Sequence, residues 1–129
     1  MEEQLISFET AKLAKEKGFD IATVSFYDGY IDNTPKLISK QLSKEPIINW
    51  NKDYKEGGHG VYYSAPTQSL LQKWLREKHN IIVEPIFMSS RDWNIIIHTV
   101  VNTSLSLLEE NTAYEEALEA GLQEALKLI

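Results

Sequence analysis

A helical stripe that runs directly into a strand pair constrains this chain more than any other feature. Leu70, Leu71, Trp74 and Leu75 fall on one face of a helix expected over residues 65–79. Ser64 stands where an N-cap hydroxyl is wanted, and Pro66 falls in the first turn, where its missing N–H does no harm. Asn80 suits the left-handed residue that ends a helix. Residues 81–88 and 93–101 then read as two strands around the four-residue loop Ser89-Ser90-Arg91-Asp92, a β-hairpin. In the second strand Trp93, Ile95, Ile97 and Val101 share one face. Asn94, Ile96, His98 and Val100 share the other, less apolar one.

Two more helices frame this core. Ser7 caps a helix over 8–17, Gly18 ends it in the left-handed region, and Phe19 folds back against it. Near the C-terminus, Thr112-Ala113-Tyr114-Glu115 has the form of a capping box. Behind it, Tyr114, Ala117, Leu118, Gly121, Leu122, Ala125, Leu126 and Ile129 keep a helical period. Residues 21–27 alternate as a half-buried strand, with Ala22, Val24 and Phe26 on one side and Thr23 and Ser25 on the other. Asp28-Gly29 predicts a type I′ turn, with a return strand starting at Tyr30-Ile31. Thr34-Pro35 opens either a short helix carrying Leu37, Ile38 and Leu42 or an irregular strand. Residues 45–60 read as a long loop with Trp50 tucked against the core, 61–63 as a short strand, and 104–110 as ambiguous, with a helical turn as the reading offered. The sum is an α+β fold: a single domain over residues 1–129, in which three helices pack against a mainly antiparallel sheet. The two helix-then-hairpin halves hint at a repeat, but their residues do not align as one.

Composition narrows the chemistry. The 129 residues include no cysteine, which excludes a disulfide framework, a thiolate metal site and a cysteine nucleophile. The start, Met1-Glu2-Glu3-Gln4, does not read as a signal peptide, and no apolar run reaches the ~20 residues a membrane-spanning helix needs. Net charge is −6, concentrated in Glu109, Glu110, Glu115, Glu116, Glu119 and Glu124 with Lys127 against them. Such a balance exerts no whole-molecule pull on phosphate backbones, so a nucleic-acid contact needs a local basic patch. The helix over 65–79 offers one in Lys73, Arg76 and Lys78, with His79 beyond them. These bases crowd the C-terminal end, where they complement the helix dipole, and Lys73 has Glu77 four residues on. A solvated helix face is the favoured reading.

The segment before this helix holds the other candidate residues. His59 in Gly57-Gly58-His59-Gly60 could cradle an anion, although no Lys-Ser/Thr follows as a phosphate loop requires. Asp53-Tyr54-Lys55 has the spacing of a nuclease Asp-x-Lys pair, but that chemistry needs a further acidic ligand on a neighbouring strand. The three histidines show no metal-ligand spacing. Function often sits on loops held by a rigid scaffold. Trp50, Asp53, Tyr54, Lys55 and His59 are therefore the expected partner-binding residues, with Trp50 alternatively a plug beneath the loop.

Three stretches, ISFETAKLAKEKGF at 6–19, SAPTQSLLQKWLREKHN at 64–80 and TAYEEALEAGLQEALKLI at 112–129, resemble a family of small proteins of Bacteroidetes phages and prophages to which no activity is assigned. The resemblance implies a phage or prophage origin and a bacterial cytoplasmic setting, and carries over no catalytic residue. With no cofactor motif in view, the expectation is a non-enzymatic module that binds a host or phage protein. The alternatives are a nucleic-acid-binding accessory protein using the 65–79 helix and, third, a small-ligand-binding or metal-dependent enzyme.

Overall fold

The computed structural model describes residues 4–29, 36–39, 48–52, 61–88, 92–109 and 112–129. The fold is α+β, and its strand pairings are antiparallel, as the sequence leads one to expect. Among the described residues the strands fall into two three-stranded sheets. Backbone contacts divide the chain into two compact units: Leu5–Pro66, and Thr67–Ile129 together with the N-terminal residues up to Gln4.

In the first unit, helix α1 spans Phe8–Glu16. The Ser7 hydroxyl accepts the Thr10 N–H at 3.3 Å, as an N-cap should. At the other end Gly18 adopts φ +88°, a conformation that costs glycine nothing. The chain then turns so that the Phe19 N–H reaches the Ala14 carbonyl at 2.9 Å and the Phe19 ring is buried. Strand β1, Ser25–Asp28, lies between β2, Lys36–Ser39, and β3, Tyr62–Ser64. Phe8 of α1 packs edge-on against both Tyr27 of β1 and Tyr63 of β3.

Two expectations change here. Asp28 pairs with Lys36, so no two-residue turn follows β1. Neither Asp28 nor Gly29 has the positive φ that a type I′ turn demands. Gly29 instead donates its N–H to the Val61 carbonyl, and a side chain there would meet the Tyr63 ring at 3.0 Å. Residues 36–39 take the strand alternative; the expected return strand at Tyr30-Ile31, and Leu42, lie outside the described residues. The stretch expected as a strand over 21–27 is a strand only from Ser25, and its faces also differ. Ala22 and Val24 are exposed, whereas Thr23 and Ser25 are buried beside Phe26. Thr23 tolerates burial because its polar groups are paired: its N–H with the Ile48 carbonyl, its hydroxyl with the Ser25 carbonyl, and its own carbonyl with the Trp50 indole.

The second unit holds α2, Gln68–His79, then β4, Ile82–Met88, β5, Asp92–His98, and β6, Thr103–Ser106, and finally α3, Tyr114–Lys127. β5 is the central strand. Leu71, Trp74 and Leu75 of α2, Ile95 and Ile97 of β5, and Leu122 and Leu126 of α3 are all buried, so the expected stripe and strand face do form a core; Leu70 is half-buried. Val101 does not extend that face: it is exposed in the turn after β5. α2 begins later than expected because the residues before it are engaged elsewhere. The Ser64 N–H goes to the Asn51 side chain, the Ala65 N–H to the Ser25 carbonyl, and the Pro66 carbonyl accepts from Ile6. Thr67 is the cap, its hydroxyl accepting from Leu70 at 3.2 Å. Asn80 ends the helix at φ 55°.

α3 lacks the expected capping box. The Thr112 hydroxyl donates to the Glu109 carbonyl, and the cap position falls to Ala113, which makes no side-chain bond. Glu115 and Glu116 still favour the positive helix start. Residues 103–106 form a strand rather than a helical turn.

Candidate functional site

The residues singled out before α2 separate into two groups. Trp50 is 5% exposed and stacks on Phe26 with ring centroids 4.0 Å apart. Its indole N–H is bonded at 2.8 Å, so it is the plug of the first unit and offers no surface to a partner. Next to it, the Asn51 amide donates to the Phe19 carbonyl and accepts from the Ser64 N–H, tying three segments of chain together. Asp53, Tyr54, Lys55 and His59 lie outside the described residues. Lys15 contributes a cation to the same unit. Its Nζ donates to the Tyr62 carbonyl at 2.9 Å and lies 4.7 Å from the Tyr63 ring centre, and burial holds its ammonium below the usual lysine range.

The bases of α2 face outward. Lys73 and Arg76 line an open depression of about 560 Å³ with Thr67, Ser69, Leu70 and Gln72. Lys78 is exposed on the same helix but does not line it. Lys73 stands 4.0 Å from Glu77, both well solvated, so this pair offsets part of the charge locally. Of the acidic residues of the C-terminal region, Glu109, Glu115, Glu116 and Glu124 are exposed. Glu119 is partly turned inward and accepts from the Gln68 amide at 3.0 Å.

A more organised surface lies on the β4–β5–β6 sheet. Opposed residues in antiparallel strands share a face, so the register assigns each side chain. On one face α3 covers Val83, Ile95 and Ile97, and Tyr114 meets Trp93 edge-on at 4.9 Å. On the other face Ile82, Glu84 and Leu105 are exposed, and Ile86, Ile96 and His98 are half-buried. Asn94, on this open side, is buried with its side-chain amide oxygen Oδ1 accepting the Leu108 N–H at 2.7 Å.

Across the open face runs a polar line from strand to strand. His98 Nε2 lies 2.8 Å from Glu84 Oε2, and His98 Nδ1 lies 3.2 Å from Thr103 Oγ1. Hydroxyl, imidazole and carboxylate thus follow one another, the order used to activate a nucleophile. Here the His98 and Glu84 side chains are 37% and 54% exposed on an open sheet, so water competes for each group. The line pins three strands in register. Among the described residues no three His, Asp or Glu side chains gather where a metal ion could sit.

The β6 edge of this sheet is unusual. Residues 99–108, Thr-Val-Val-Asn-Thr-Ser-Leu-Ser-Leu-Leu, contain no charge and no proline. Sheet edges are ordinarily guarded by such residues. The Thr99 and Asn102 bonds that close the β5–β6 turn leave Val100 and Val101 82% and 88% exposed, while Leu105 is 49% and Leu107 72% exposed. Sequence reasoning missed this edge and the Glu84–His98–Thr103 line. The signal available was the uncharged run itself.

No protein-family model matches the chain, and neither does any curated protein or solved structure. Among the described residues no helix is long and apolar enough to cross a membrane.

Proposed function

We propose that this chain is a non-enzymatic protein–protein interaction module of phage or mobile-element origin, acting inside a bacterial host cell, and that it engages its partner through the open face and β6 edge of the second sheet. The observation that carries this reading is the uncharged strip with Val100, Val101, Leu105 and Leu107 in solvent. Large apolar side chains left in solvent along one uncharged edge are the kind of surface that interaction sites use. The phage setting rests on the resemblance of the three helical stretches. Asp53, Tyr54, Lys55 and His59 are kept as a separate partner-binding candidate, tested on its own. Replacing residues 53–59 with a Gly/Ser linker is expected to leave the fold intact and weaken partner capture.

The test is capture from host lysate with and without nuclease, comparing the natural chain with Leu105→Lys. A protein retained after nuclease and lost with the variant supports the reading. Identical capture by both chains removes the sheet as the surface for a host protein.

One observation favours a second reading, nucleic-acid binding by α2: Lys73 and Arg76 converge on one depression. If phosphates bind there, Lys73→Glu with Arg76→Glu abolishes a gel shift that weakens steeply with salt. With Lys73 beside Glu77 and a net charge of −6, no such shift is expected at physiological salt.

A further inference from the structure

We infer that the partner of the β6 edge is a second copy of this chain, the two Thr103–Ser106 strands pairing antiparallel about a two-fold axis at Leu105. The inference rests on the sheet being an interaction surface and adds which molecule covers it. Two features of the edge select a copy of itself.

The first is charge. Copies of a −6 chain repel one another in general, yet residues 99–108 hold none of its charged groups. This edge can therefore meet its duplicate without like charges opposed, and it offers a charged partner nothing to pair with.

The second is the sequence symmetry Ser104-Leu105-Ser106. Antiparallel pairing centred on Leu105 sets leucine against leucine and each Ser104 against a Ser106 of the other copy. Thr103 then opposes Leu107, giving that exposed side chain an apolar methyl neighbour. On the open face, the row Glu84–Ile96–Leu105 set by the existing register continues into the same row of the second copy. The result is one six-stranded sheet with an isologous interface, in which every contact off the axis occurs twice.

The absence of cysteine gives a direct test. Leu105→Cys is placed on the axis, where opposed residues approach closely enough for a cross-strand disulfide. Exposed to oxidised glutathione, it is expected to form a covalent dimer, whereas Val61→Cys, exposed in the other unit, is not. Sedimentation of the natural chain over a concentration series is expected to show a monomer–dimer equilibrium. Leu105→Lys, which puts two ammonium groups together on the axis, is expected to weaken it by about tenfold or more. Circular dichroism checks that each variant is folded; Thr103→Lys, off the axis but within the strand, serves if Leu105→Lys is not. A natural chain that stays monomeric with no Leu105→Cys crosslink overturns self-pairing. So does a dimer that Leu105→Lys leaves intact. If the chain is monomeric yet captures a host protein that Leu105→Lys loses, self-pairing falls while the interaction surface stands. If capture is also insensitive to that variant, both fall.

Discussion

Gly121 of α3 and Ile95 of β5 approach so closely that a methyl group at Gly121 would lie 2.7 Å from the Ile95 Cδ1 atom. Val83 Cγ1 would be equally near, so helix and sheet can meet at this distance only without a side chain. Gly121→Ala gains up to ~1 kcal/mol of helix propensity but overpacks the core, typically at a cost of ~1–3 kcal/mol. Net destabilisation is expected in chemical denaturation. Partial recovery with Ile95→Val, which removes Cδ1, one of the two nearest methyls, would identify that contact as responsible.

Trp50 gives a graded prediction. Trp50→Phe keeps the ring stack on Phe26 and loses the bond to the Thr23 carbonyl, costing about 1–2 kcal/mol. Trp50→Ala should cost about 3–5 kcal/mol, since it leaves a cavity. A Trp50→Ala chain with unchanged stability and lost partner capture would return Trp50 to the binding surface.

Trp74 tests the other core. It is 3% exposed beneath α2, and Trp74→Ala should cost about 3–5 kcal/mol. A measured loss under about 1 kcal/mol would refute the burial of that helix face.

Lys15 carries a pH dependence with a definite sign. Burial lowers its pKa in the folded chain relative to the unfolded one. Between the two values the unfolded state binds more protons, so the Lys15 contribution to stability rises with pH in the range just below the usual lysine value. Comparing unfolding midpoints of the natural chain and Lys15→Met from about pH 8 to about pH 10 should show the difference moving in favour of the natural chain. A flat difference would mean that the ammonium is not desolvated.

Asn80 adopts φ 55° at the end of α2. Asn80→Gly is expected to keep or slightly raise the thermal midpoint, and Asn80→Ala to cost about 1 kcal/mol. Equal midpoints for the two variants would show that this turn relaxes freely.

What could be read in advance follows from how far each signal reaches along the chain. The ends of α1, the stripe of α2 and the period of α3 depend on neighbours within four residues, and a helix forms at each of the three places, although the start of α2 moves. The cap of α2 did not, because Ser64 serves the Asn51 side chain, thirteen residues away. The open face of the second sheet was hidden by a single residue of register. A four-residue loop sets Met88 against Trp93, whereas Met88 opposes Asp92. Shifting by one exchanges the two faces, and with them the chance of seeing Glu84 beside His98. Trp50 was recognisable as a plug, but its carbonyl partner Thr23 lies just before β1, in a stretch whose apolar alternation pointed the other way.

The two sheets differ in how their strands are ordered, and this bears on the time each takes to assemble. β4, β5 and β6 are neighbours in the order in which they are synthesised, so each pairing closes a short loop. In the first sheet the central strand comes first, and β3 reaches it only after residues 29–61 have been spanned. Short-range pairings form faster than long-range ones because less loop entropy is lost before contacts form. The second sheet should therefore close early, with its uncharged edge already formed, while β1 still waits for β3.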